Sequence, residues 1–258
     1  MQAAPSRPIT VSIVSHGQQV LAIQLIEQLA QHCAQWIDKV VLTTNIPEPA
    51  PSAGHAWRLP VETIRNPRPQ GFGANHNAAF AACRSPWFLV LNPDICIETD
   101  VLGALLAQAQ ARDGVLAPRI VEPGSRHCGP EPHRALLTPC EILTRNRANY
   151  QAPARPAWIA GMFMLLRKQA YQQVQGFDDR YFMYGEDFDI CARLRLAGWQ
   201  IRIGESLQVQ HDARRASRKD RRHLRWHFAS LARVWLSPAF WRYRSLLVRD
   251  RGNSGGAH

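Results

Sequence analysis

The sequence lacks several features that mark whole classes of protein. No apolar run reaches the roughly 18–20 residues that a transmembrane helix requires. The opening residues, MQAAPSRPITVSIVSH, contain no apolar core of a signal peptide. No internal repeat is visible along the 258 residues. We therefore expect a globular chain without a secretory leader, which can touch a membrane only peripherally.

Cysteine is present, but without the spacings of a metal-binding or redox motif. The six cysteines include no CxxC pair and no short metal-ligand spacing. Four of them, Cys33, Cys83, Cys96 and Cys191, lie in apolar stretches, which is typical of buried thiols that stay reduced. This pattern predicts a protein of the reducing cytoplasm.

Acidic residues are scarce relative to basic ones. The chain has 20 Asp and Glu against 31 Lys and Arg, a formal net charge of +11. Seven basic residues and one acidic residue between Arg214 and Arg225 carry more than half of this excess. Charge of this sign predicts an anionic partner, which could be nucleic acid, an acidic membrane surface or a phosphorylated ligand.

The first half of the chain alternates between strand and helix patterns. Strands are predicted at residues 9–14, 39–43, 61–65 and 86–91, and helices at about 20–33, 74–83 and 99–110. The strand PWFLVL is continuously apolar, as is typical of a strand buried on both faces. This order predicts an α/β fold with a parallel sheet and right-handed crossovers.

The second half is less regular. A strand is expected near residues 115–122, and the Pro- and Arg-rich connection over 120–156 is interpreted as mobile or ordered by a ligand. Further elements are predicted as a strand at 158–167, helices at 168–175 and 186–197, a strand at 200–203 and a helical tail.

The most apolar predicted strand ends at the sequence LNPD. In an open α/β sheet, ligands bind beyond the carboxyl ends of the strands, and Pro93 fixes the bend that follows Asn92. A carboxylate held there could bind Mg²⁺ or Mn²⁺ beside a diphosphate. The alternative is that Asp94 is an ordinary turn or N-cap residue.

Two glycines around an aromatic residue precede the helix predicted at 74–83. A glycine-rich entry to a helix N-terminus can accept a phosphate group. However, the stretch NPRPQGFGANHNAAF is neither a GxGxxG motif nor a P-loop. A tight turn that needs positive φ at glycine explains it equally well.

The stretch FMYGEDFDICARLRLAGW places three acids within four positions, next to aromatic residues. Glu186 and Asp187 stand at the start of a predicted helix, where they could cap it or supply a general base. Asp189 is expected to pair with Arg193 one turn later. His211 follows the last predicted strand and could be a core or surface histidine, a metal ligand or a phosphate contact.

Taken together and in order, these segments resemble the family 2 glycosyltransferases of the GT-A fold, and within them the bacterial rhamnosyltransferase-like members. The resemblance spans roughly residues 9–217. It rests on VSIVSHG, RNPRPQGFGANHNAAF, FLVLNPD, WIAGMFMLLRKQAYQQVQGFDDRYFMYGEDFDICARLRLAGW and VQHDARRAS. It implies a central, mostly parallel sheet flanked by helices, in a catalytic domain over 1–212 with a basic helical extension over 213–258.

The resemblance also implies roles for individual residues. LNPD stands where the family has its DXD-type metal motif, so Asp94 should meet the cation, with Asn92 replacing the first acid of that motif. The acid pair falls where the family places its base, which we assign to Asp187, with Glu186 contacting acceptor or donor. His211 falls where some relatives have a further metal or phosphate ligand.

A nucleotide-sugar pocket follows from the same resemblance. Relatives often have an Asp-Asn pair after the second strand, where this chain reads Thr44-Asn45. The residues implied in donor binding are Ser15, His16, Asn45, Arg65, Gly71, Phe72, Asn75, Asn92, Asp94 and Gly161.

The activity implied is inverting transfer of a sugar, best L-rhamnose from dTDP-L-rhamnose, with Mg²⁺ or Mn²⁺. The implied acceptor is a lipid-linked or lipopolysaccharide (O-antigen) glycan. A UDP-sugar donor remains open, as does a catalytically inactive protein that only binds sugar nucleotides. A nucleic-acid-binding protein would explain the charge but not the acids of LNPD and YGED, so no nucleic-acid partner is expected.

The C-terminal segment alternates apolar and basic residues. Leu224, Trp226, Phe228, Leu231, Trp235, Phe240 and Trp241 interleave with Arg225, Arg233, Arg242 and Arg244. This pattern suits a helix on an anionic leaflet, although a solvated basic helix packed on the core is the alternative. With the implied acceptors, it predicts a cytoplasmic protein that is peripheral on the inner face of the bacterial inner membrane.

Overall fold

The computed structural model describes residues 7–49, 56–123, 129–145, 147, 149–212 and 221–254. The strands are β1 Ile9–Ser15, β2 Ile37–Thr44, β3 Val61–Arg65, β4 Trp87–Leu91, β5 Ile95–Cys96, β6 Asp113–Val121, β7 Phe163–Arg167 and β8 Gln200–His211. The α-helices are α1 Gln19–His32, α2 Phe72–Phe80, α3 Val101–Gln108, α4 Pro139–Thr144, α5 Lys168–Gln173, α6 Glu186–Leu196, α7 Arg221–Leu236 and α8 Pro238–Ser254, and a short 3₁₀ turn covers Ala34–Trp36.

All eight strands form one sheet in the order β3-β2-β1-β4-β7-β6-β8-β5. The predicted first half is confirmed, because β1, β2, β3 and β4 are mutually parallel where they pair. Every residue of β4 is buried, as the continuous apolar run indicated. Since parallel strands end at one edge, the residues after β1, β2 and β4 meet there.

The strand predicted at 158–167 is shorter than expected and runs the other way. It begins at Phe163 and pairs antiparallel with both β4 and β6. The residues before Phe163 are not part of this strand. Trp158 forms an isolated bridge with Arg134, and a turn follows at Gly161. The long connection before β7 lets the chain reverse direction, which a β-α-β pattern does not encode.

The last strand is longer than the predicted 200–203. It continues to His211 and pairs with β6 in parallel and with the two-residue β5 in antiparallel register, Ile95 opposite His211. The Gly-Glu-Ser stretch after Ile203 hid this extension, because the register with β6 shifts between Gly204 and Gln208 and interrupts the alternation of inward and outward side chains, which resumes over residues 207–211.

The helices of the second half match the predictions closely. The helix α6 begins after Gly185, at φ 84°, and ends at Gly198, at φ +90°, both left-handed conformations that favour glycine. Within the 120–156 connection, the short helix α4 is the one regular element that the described residues add to the prediction.

The two C-terminal helices pack onto the body of the protein. Val234, Phe240 and Tyr243 are buried in the same apolar core as the sheet, and the Tyr243 hydroxyl donates to the Ala157 carbonyl at 2.6 Å. Most of the predicted basic run lies in residues 213–220, outside the described residues. Among the described helices, none is long and apolar enough to cross a bilayer.

The five described cysteines are all free thiols. Cys33, Cys83 and Cys191 are buried as predicted, Cys96 is only partly buried, and Cys140 is exposed. Cys128 lies outside the described residues.

Candidate active site

The carboxyl edge of the sheet gathers the residues predicted to bind a nucleotide sugar. Ser15 ends β1, Asn45 follows β2, and the Asn45 N–H donates to the Ser15 carbonyl at 2.8 Å. Asn92 follows β4, and its N–H donates to the Met162 carbonyl at 2.9 Å. Arg65 ends β3 at the margin of the sheet and is exposed.

A network of side-chain amides fixes the loop between β3 and α2. The Asn45 Oδ1 accepts hydrogen bonds from the Asn66 Nδ2 and the Gln70 N–H, both at 2.8 Å. The Asn75 Nδ2 donates to the Gly71 carbonyl at 3.0 Å, and its Oδ1 accepts from Asn66 at 2.6 Å. The amide of Asn45 also lies 3.1 Å from His16 Nδ1. Because these amides are occupied by protein groups, they hold the shape of the loop, and their contact with a nucleotide stays a prediction.

A carboxylate that the sequence analysis missed lies at the same edge. Ser15 Oγ donates to Glu48, at 2.7 Å to Oε2 and 2.9 Å to Oε1, and the Gly17 N–H donates to Oε1 at 2.7 Å. The Pro-rich sequence around Glu48 predicts only a loop and contains no motif that indicates a functional carboxylate. Here Glu48 closes the turn after β1.

Gly71 and Gly73, at the start of α2, serve close packing. Gly71 has φ −66° and neither glycine has positive φ, so the alternative of a turn that needs positive φ at glycine is wrong. A Cβ on Gly71 would lie 2.8 Å from the Phe182 carbonyl oxygen, and one on Gly73 would lie 2.6 Å from Phe177 Cβ. The Phe72 N–H donates to the Phe182 carbonyl at 2.9 Å. Glycine therefore allows the start of α2 to lie directly against the segment that leads into α6.

Asp94 and His211 lie next to each other, as expected if both bind one metal ion. Asp94 Oδ2 lies 3.3 Å from His211 Nε2, and Glu122 Oε1 lies 2.9 Å from His211 Nδ1. The pairing of β5 with β8 brings them together. Burial by itself lowers the pKa of His211, but its hydrogen bonds and attraction to Asp94 and Glu122 raise that pKa overall above the ordinary value.

The fit of a divalent cation to this place can be judged from the donor atoms. The buried Asp94 Oδ1 has no hydrogen-bond partner, which leaves a carboxylate lone pair directed at no protein group. Across the described ranges, no set of three or more acidic, histidine or cysteine side chains is arranged around one metal position. The pair therefore fits a cation that takes its remaining ligands from phosphate and water.

The acid pair stands at the N-terminus of α6. Asp187 Oδ1 accepts from the Phe188 N–H at 2.8 Å, and its Oδ2 accepts from the Gly161 N–H at 3.2 Å. Glu186 is 5% exposed, and its Oε2 has no hydrogen-bond partner. Neither acid is the N-cap residue, which is Gly185 and carries no side chain, although Asp187 satisfies the first-turn N–H of Phe188.

Burial sets the protonation of both acids. It raises the pKa of Glu186 well above the ordinary value, and the neighbouring charge of Asp187 raises it further. Burial also raises the pKa of Asp187, opposed by attraction to Arg134 and by the two backbone N–H donors. An acid whose pKa is moved toward neutrality suits general base chemistry.

Asp189 has a structural partner, as predicted. Its Oδ2 accepts from Arg193 Nε at 2.7 Å, and Arg193 also donates to the Val174 carbonyl. This ion pair ties α6 to the end of α5 and takes Asp189 out of the reacting site.

A cavity of about 380 Å³ joins the acid pair to the sheet edge. It contains five of the predicted site residues: Phe72, Asn92, Gly161, Glu186 and Asp187. Other walls come from the connection that the sequence analysis interpreted as mobile or ordered by a ligand, and from helix α7, which it assigned to the basic tail. The lining residues are Arg134, Leu137, Ile142, Arg145 and Trp158 from the connection and the start of the next segment, and His227, Ser230 and Leu231 from α7.

Helix α7 is attached to the segment that precedes the acids. Tyr184, at φ 71°, stacks on His227 with ring centroids 3.5 Å apart. The ring centroids of Phe182 and Trp226 lie 4.8 Å apart. Ser230 Oγ donates to the Met183 carbonyl at 2.8 Å. The sequence analysis expected the apolar tail residues to face a membrane, but four of them pack toward the body of the protein: Trp226, Leu231, Trp235 and Phe240.

Comparison with known proteins gives the same family as the motifs. Residues 43–174 match the model of Glycosyl transferase family 2, and residues 113–251 match that of Glycosyl transferase family group 2. The N-acetylglucosaminyl-diphospho-decaprenol L-rhamnosyltransferase of Mycobacterium tuberculosis is 29% identical over 188 residues, 63% of this chain and 61% of that protein. Rhamnosyltransferase WbbL of Escherichia coli is 29% identical over 182 residues, 63% of this chain and 69% of that protein.

Solved structures support the fold. The mannosyltransferase PcManGT from Pyrobaculum calidifontis, in complex with GDP-Man and Mn²⁺, superposes with a TM-score of 0.59 at 15% identity, covering 90% of this chain and 67% of that one. Staphylococcus aureus TarS 1–349 superposes with a TM-score of 0.57 at 13% identity, covering 79% and 60%. The chain spans about three fifths of the length of the mycobacterial relative. Since each family model matches more than half of it, this chain belongs to glycosyl transferase family 2.

Proposed function

We propose that this protein transfers a sugar from a nucleoside diphosphate donor to a lipid-linked glycan acceptor, with inversion at the anomeric carbon. The observation that carries the proposal is the position of Asp187. It stands in one cavity with Asn92, which precedes Asp94 by two residues, so the base faces the end of β4, beyond which the donor diphosphate would lie beside Asp94. That is the arrangement a single displacement needs.

The chemistry follows from the two sides of the cavity. Asp187 takes the proton of the acceptor hydroxyl as that oxygen bonds to the anomeric carbon of the donor sugar. The bond from that carbon to the diphosphate oxygen breaks, and the nucleoside diphosphate leaves with the electron pair. Glu186, buried beside Asp187, contacts acceptor or donor in its protonated form, because burial opposes its ionisation.

Asp94 and His211 would hold the divalent cation, Mg²⁺ or Mn²⁺, when the donor is bound. The cation would neutralise the negative charge that develops on the leaving diphosphate. The unpartnered Oδ1 of Asp94 supports this role, and Glu122 orients the imidazole of His211 from its other side. With Asn92 in place of a second acid, we expect weak metal affinity in the absence of donor.

The donor we favour is dTDP-L-rhamnose, since the curated relatives at 29% identity are named rhamnosyltransferases. A UDP-sugar is the alternative. Ser15, His16, Asn45 and Arg65 lie at the edge where the nucleotide would bind, with Glu48 as an addition to the predicted set.

The acceptor we favour is a glycan on a lipid carrier, of the kind named for the mycobacterial relative, or a lipopolysaccharide precursor. Such an acceptor lies at the cytoplasmic face of a membrane. The exposed residues Leu224, Phe228, Leu236, Trp241 and Val248 of α7 and α8, interspersed with arginines, are the surface we assign to peripheral binding of an anionic leaflet.

A second candidate is a catalytically inactive sugar-nucleotide-binding protein. The observation in its favour is Asn92, which removes one of the two acids of the metal motif. Binding of donor without turnover, in the presence of either cation and acceptor lipid, would support it.

A donor screen tests the proposal. The protein is incubated with dTDP-L-rhamnose, UDP-glucose, UDP-galactose or UDP-N-acetylglucosamine, each with Mg²⁺, Mn²⁺ or EDTA, while thermal stability and nucleoside diphosphate release are recorded. We expect metal-dependent stabilisation by one donor and transfer to a lipid-linked acceptor. Absence of binding to every donor with both cations would contradict the proposal.

A further inference from the structure

The connection whose role the sequence left open contributes two arginines to the cavity. Arg134 forms an isolated bridge with Trp158, and its guanidinium carbon lies 4.9 Å from the centre of the Trp158 ring. It also pairs with Glu131 at 2.7 Å. Arg145 follows helix α4 and lines the same cavity as Arg134.

Arg145 has no close partner within the chain. It is partly buried, and among the described residues its guanidinium makes no hydrogen bond or ion pair. Burial, and then repulsion by Arg134, lower its pKa, and attraction to Glu141 and Glu131 at longer range offsets only part of this. Guanidinium groups in protein interiors are normally paired, because an unpaired buried cation is unfavourable. The position is therefore suited to an anion that binds from outside the chain.

The rest of the cavity restricts what that anion can be. Asp187 lines it too, and its negative charge repels a small free anion, whereas Glu186 beside it is held protonated by burial. Leu137, Ile142 and Leu231 give it an apolar wall. A ligand that satisfies all of these groups has an anionic part at the arginines, a neutral hydroxyl-bearing part at the acids, and apolar character nearby.

We propose that Arg145, together with Arg134, binds the diphosphate group of a lipid-linked acceptor. This rests on the proposed function and specifies its acceptor site. The leaving diphosphate of the donor is assigned to Asp94 and His211, and neither residue lines the cavity. A volume of about 380 Å³ is in the range of ligand sites that hold one sugar with its phosphate. Bidentate hydrogen bonding to phosphate is the geometry that guanidinium provides.

The test uses the full-length protein and a probe with no sugar. Binding of farnesyl diphosphate and of farnesol is measured with a saturating concentration of nucleoside diphosphate and Mg²⁺, so that the donor site is filled. The variants are Arg145→Gln and Arg147→Gln, the second being an exposed arginine two residues along the same segment and outside the cavity. Arg145 is chosen over Arg134 because Arg134 also acts on the charge of Asp187.

We expect wild type and Arg147→Gln to bind farnesyl diphosphate equally, within about twofold, and Arg145→Gln to bind it about tenfold or more weakly. Farnesol should bind weakly and alike to all three. Equal loss in both variants would show a general effect of the protein's positive charge and would overturn the proposal. Binding of farnesyl diphosphate no tighter than of farnesol would also overturn it.

Two further measurements distinguish failure of this inference from failure of the proposed function on which it rests. The affinity for the nucleoside diphosphate itself should be unchanged in Arg145→Gln, and a loss there would assign the arginine to the donor and overturn the acceptor role. If sugar transfer occurs to a phosphate-free alkyl glycoside and Arg145→Gln does not alter farnesyl diphosphate binding, the proposed function stands and the inference falls. If farnesyl diphosphate binds in an Arg145-dependent way but no donor binds, the diphosphate site stands and the proposed function falls.

Discussion

The Gly161 N–H donates a hydrogen bond to Asp187 Oδ2 across 3.2 Å. It joins the turn before β7 to the first turn of α6, two segments that are 26 residues apart in the chain. A Cβ on Gly161 would lie 3.0 Å from the Phe72 ring and 3.7 Å from Asp187 Cβ, so glycine permits this approach. The bond orients the carboxylate and favours its charged form, which burial disfavours.

Replacing Asp187 with Asn should remove the base while keeping the geometry. We expect kcat for sugar transfer to fall about 10²–10⁴-fold, with donor affinity unchanged. The control is Asp189→Asn, which breaks the ion pair with Arg193. That variant should lose about 1–3 kcal/mol of stability yet keep turnover per folded molecule. Equal loss of kcat in both variants would contradict the assignment of the base.

Replacing Glu186 with Gln should stabilise the protein in a pH-dependent way. The pKa of Glu186 is raised in the folded state, so its contribution to stability is fully present below the ordinary carboxyl pKa. It is lost as the pH rises through the raised folded pKa. The amide does not ionise and escapes this loss.

We therefore expect Glu186→Gln and wild type to unfold at similar denaturant concentrations in acid. The variant should become more stable than wild type as the pH rises toward neutrality, by about 1.4 kcal/mol for each unit by which the folded pKa of Glu186 exceeds its unfolded pKa. Chemical unfolding at a series of pH values measures this. A stability difference that is constant with pH, or that shrinks as the pH rises, would show that Glu186 is not the group that burial holds protonated.

The metal site predicts opposite effects for two neighbouring substitutions. Asp94→Ala should abolish the cation dependence of donor binding, because it removes the one carboxylate of the motif. Asn92→Asp should restore a second carboxylate and tighten binding of Mn²⁺ in the presence of nucleoside diphosphate, by about tenfold. Titration calorimetry with and without EDTA measures both effects, and Mn²⁺ affinity that is the same in all three proteins would place the cation elsewhere.

The membrane-binding surface that we propose on α7 and α8 is best tested by point substitution. Removing the tail would expose the core, since Val234, Phe240 and Tyr243 are buried in it, so truncation would destabilise the whole protein. Changing Leu224, Phe228 and Leu236 to Ser affects side chains that are 57%, 67% and 83% exposed. We expect at least about a tenfold loss of binding to anionic liposomes, with Tm nearly unchanged.

The matched control for that surface is Val20→Ser. Val20 is 67% exposed on helix α1, away from the tail. It should leave liposome flotation as in wild type. Flotation that is equally strong in the triple variant would show that the charge, or another face of the protein, mediates any binding.

Local patterns were sufficient for the parallel half of the fold. Apolar periodicity located β1 to β4 and the helices between them, because a buried strand and an amphipathic helix each impose their own spacing on side chains. The same local patterns located the turn at Asn92, the start of α6 at Glu186 and the Asp189–Arg193 pair, which are all short-range features.

Tertiary structure decided which of these groups share a site. The pairing of Asp94 with His211 depends on strand register between β5 and β8, and the cavity walls come from a connection and a C-terminal helix with no motif of their own. The sequence analysis did not single out Arg134 or Arg145, because nothing local distinguishes a solvated arginine from one that lines a pocket. Sequence alone thus determined the chemical groups and the sheet edge, while long-range packing decided their burial, partners and protonation.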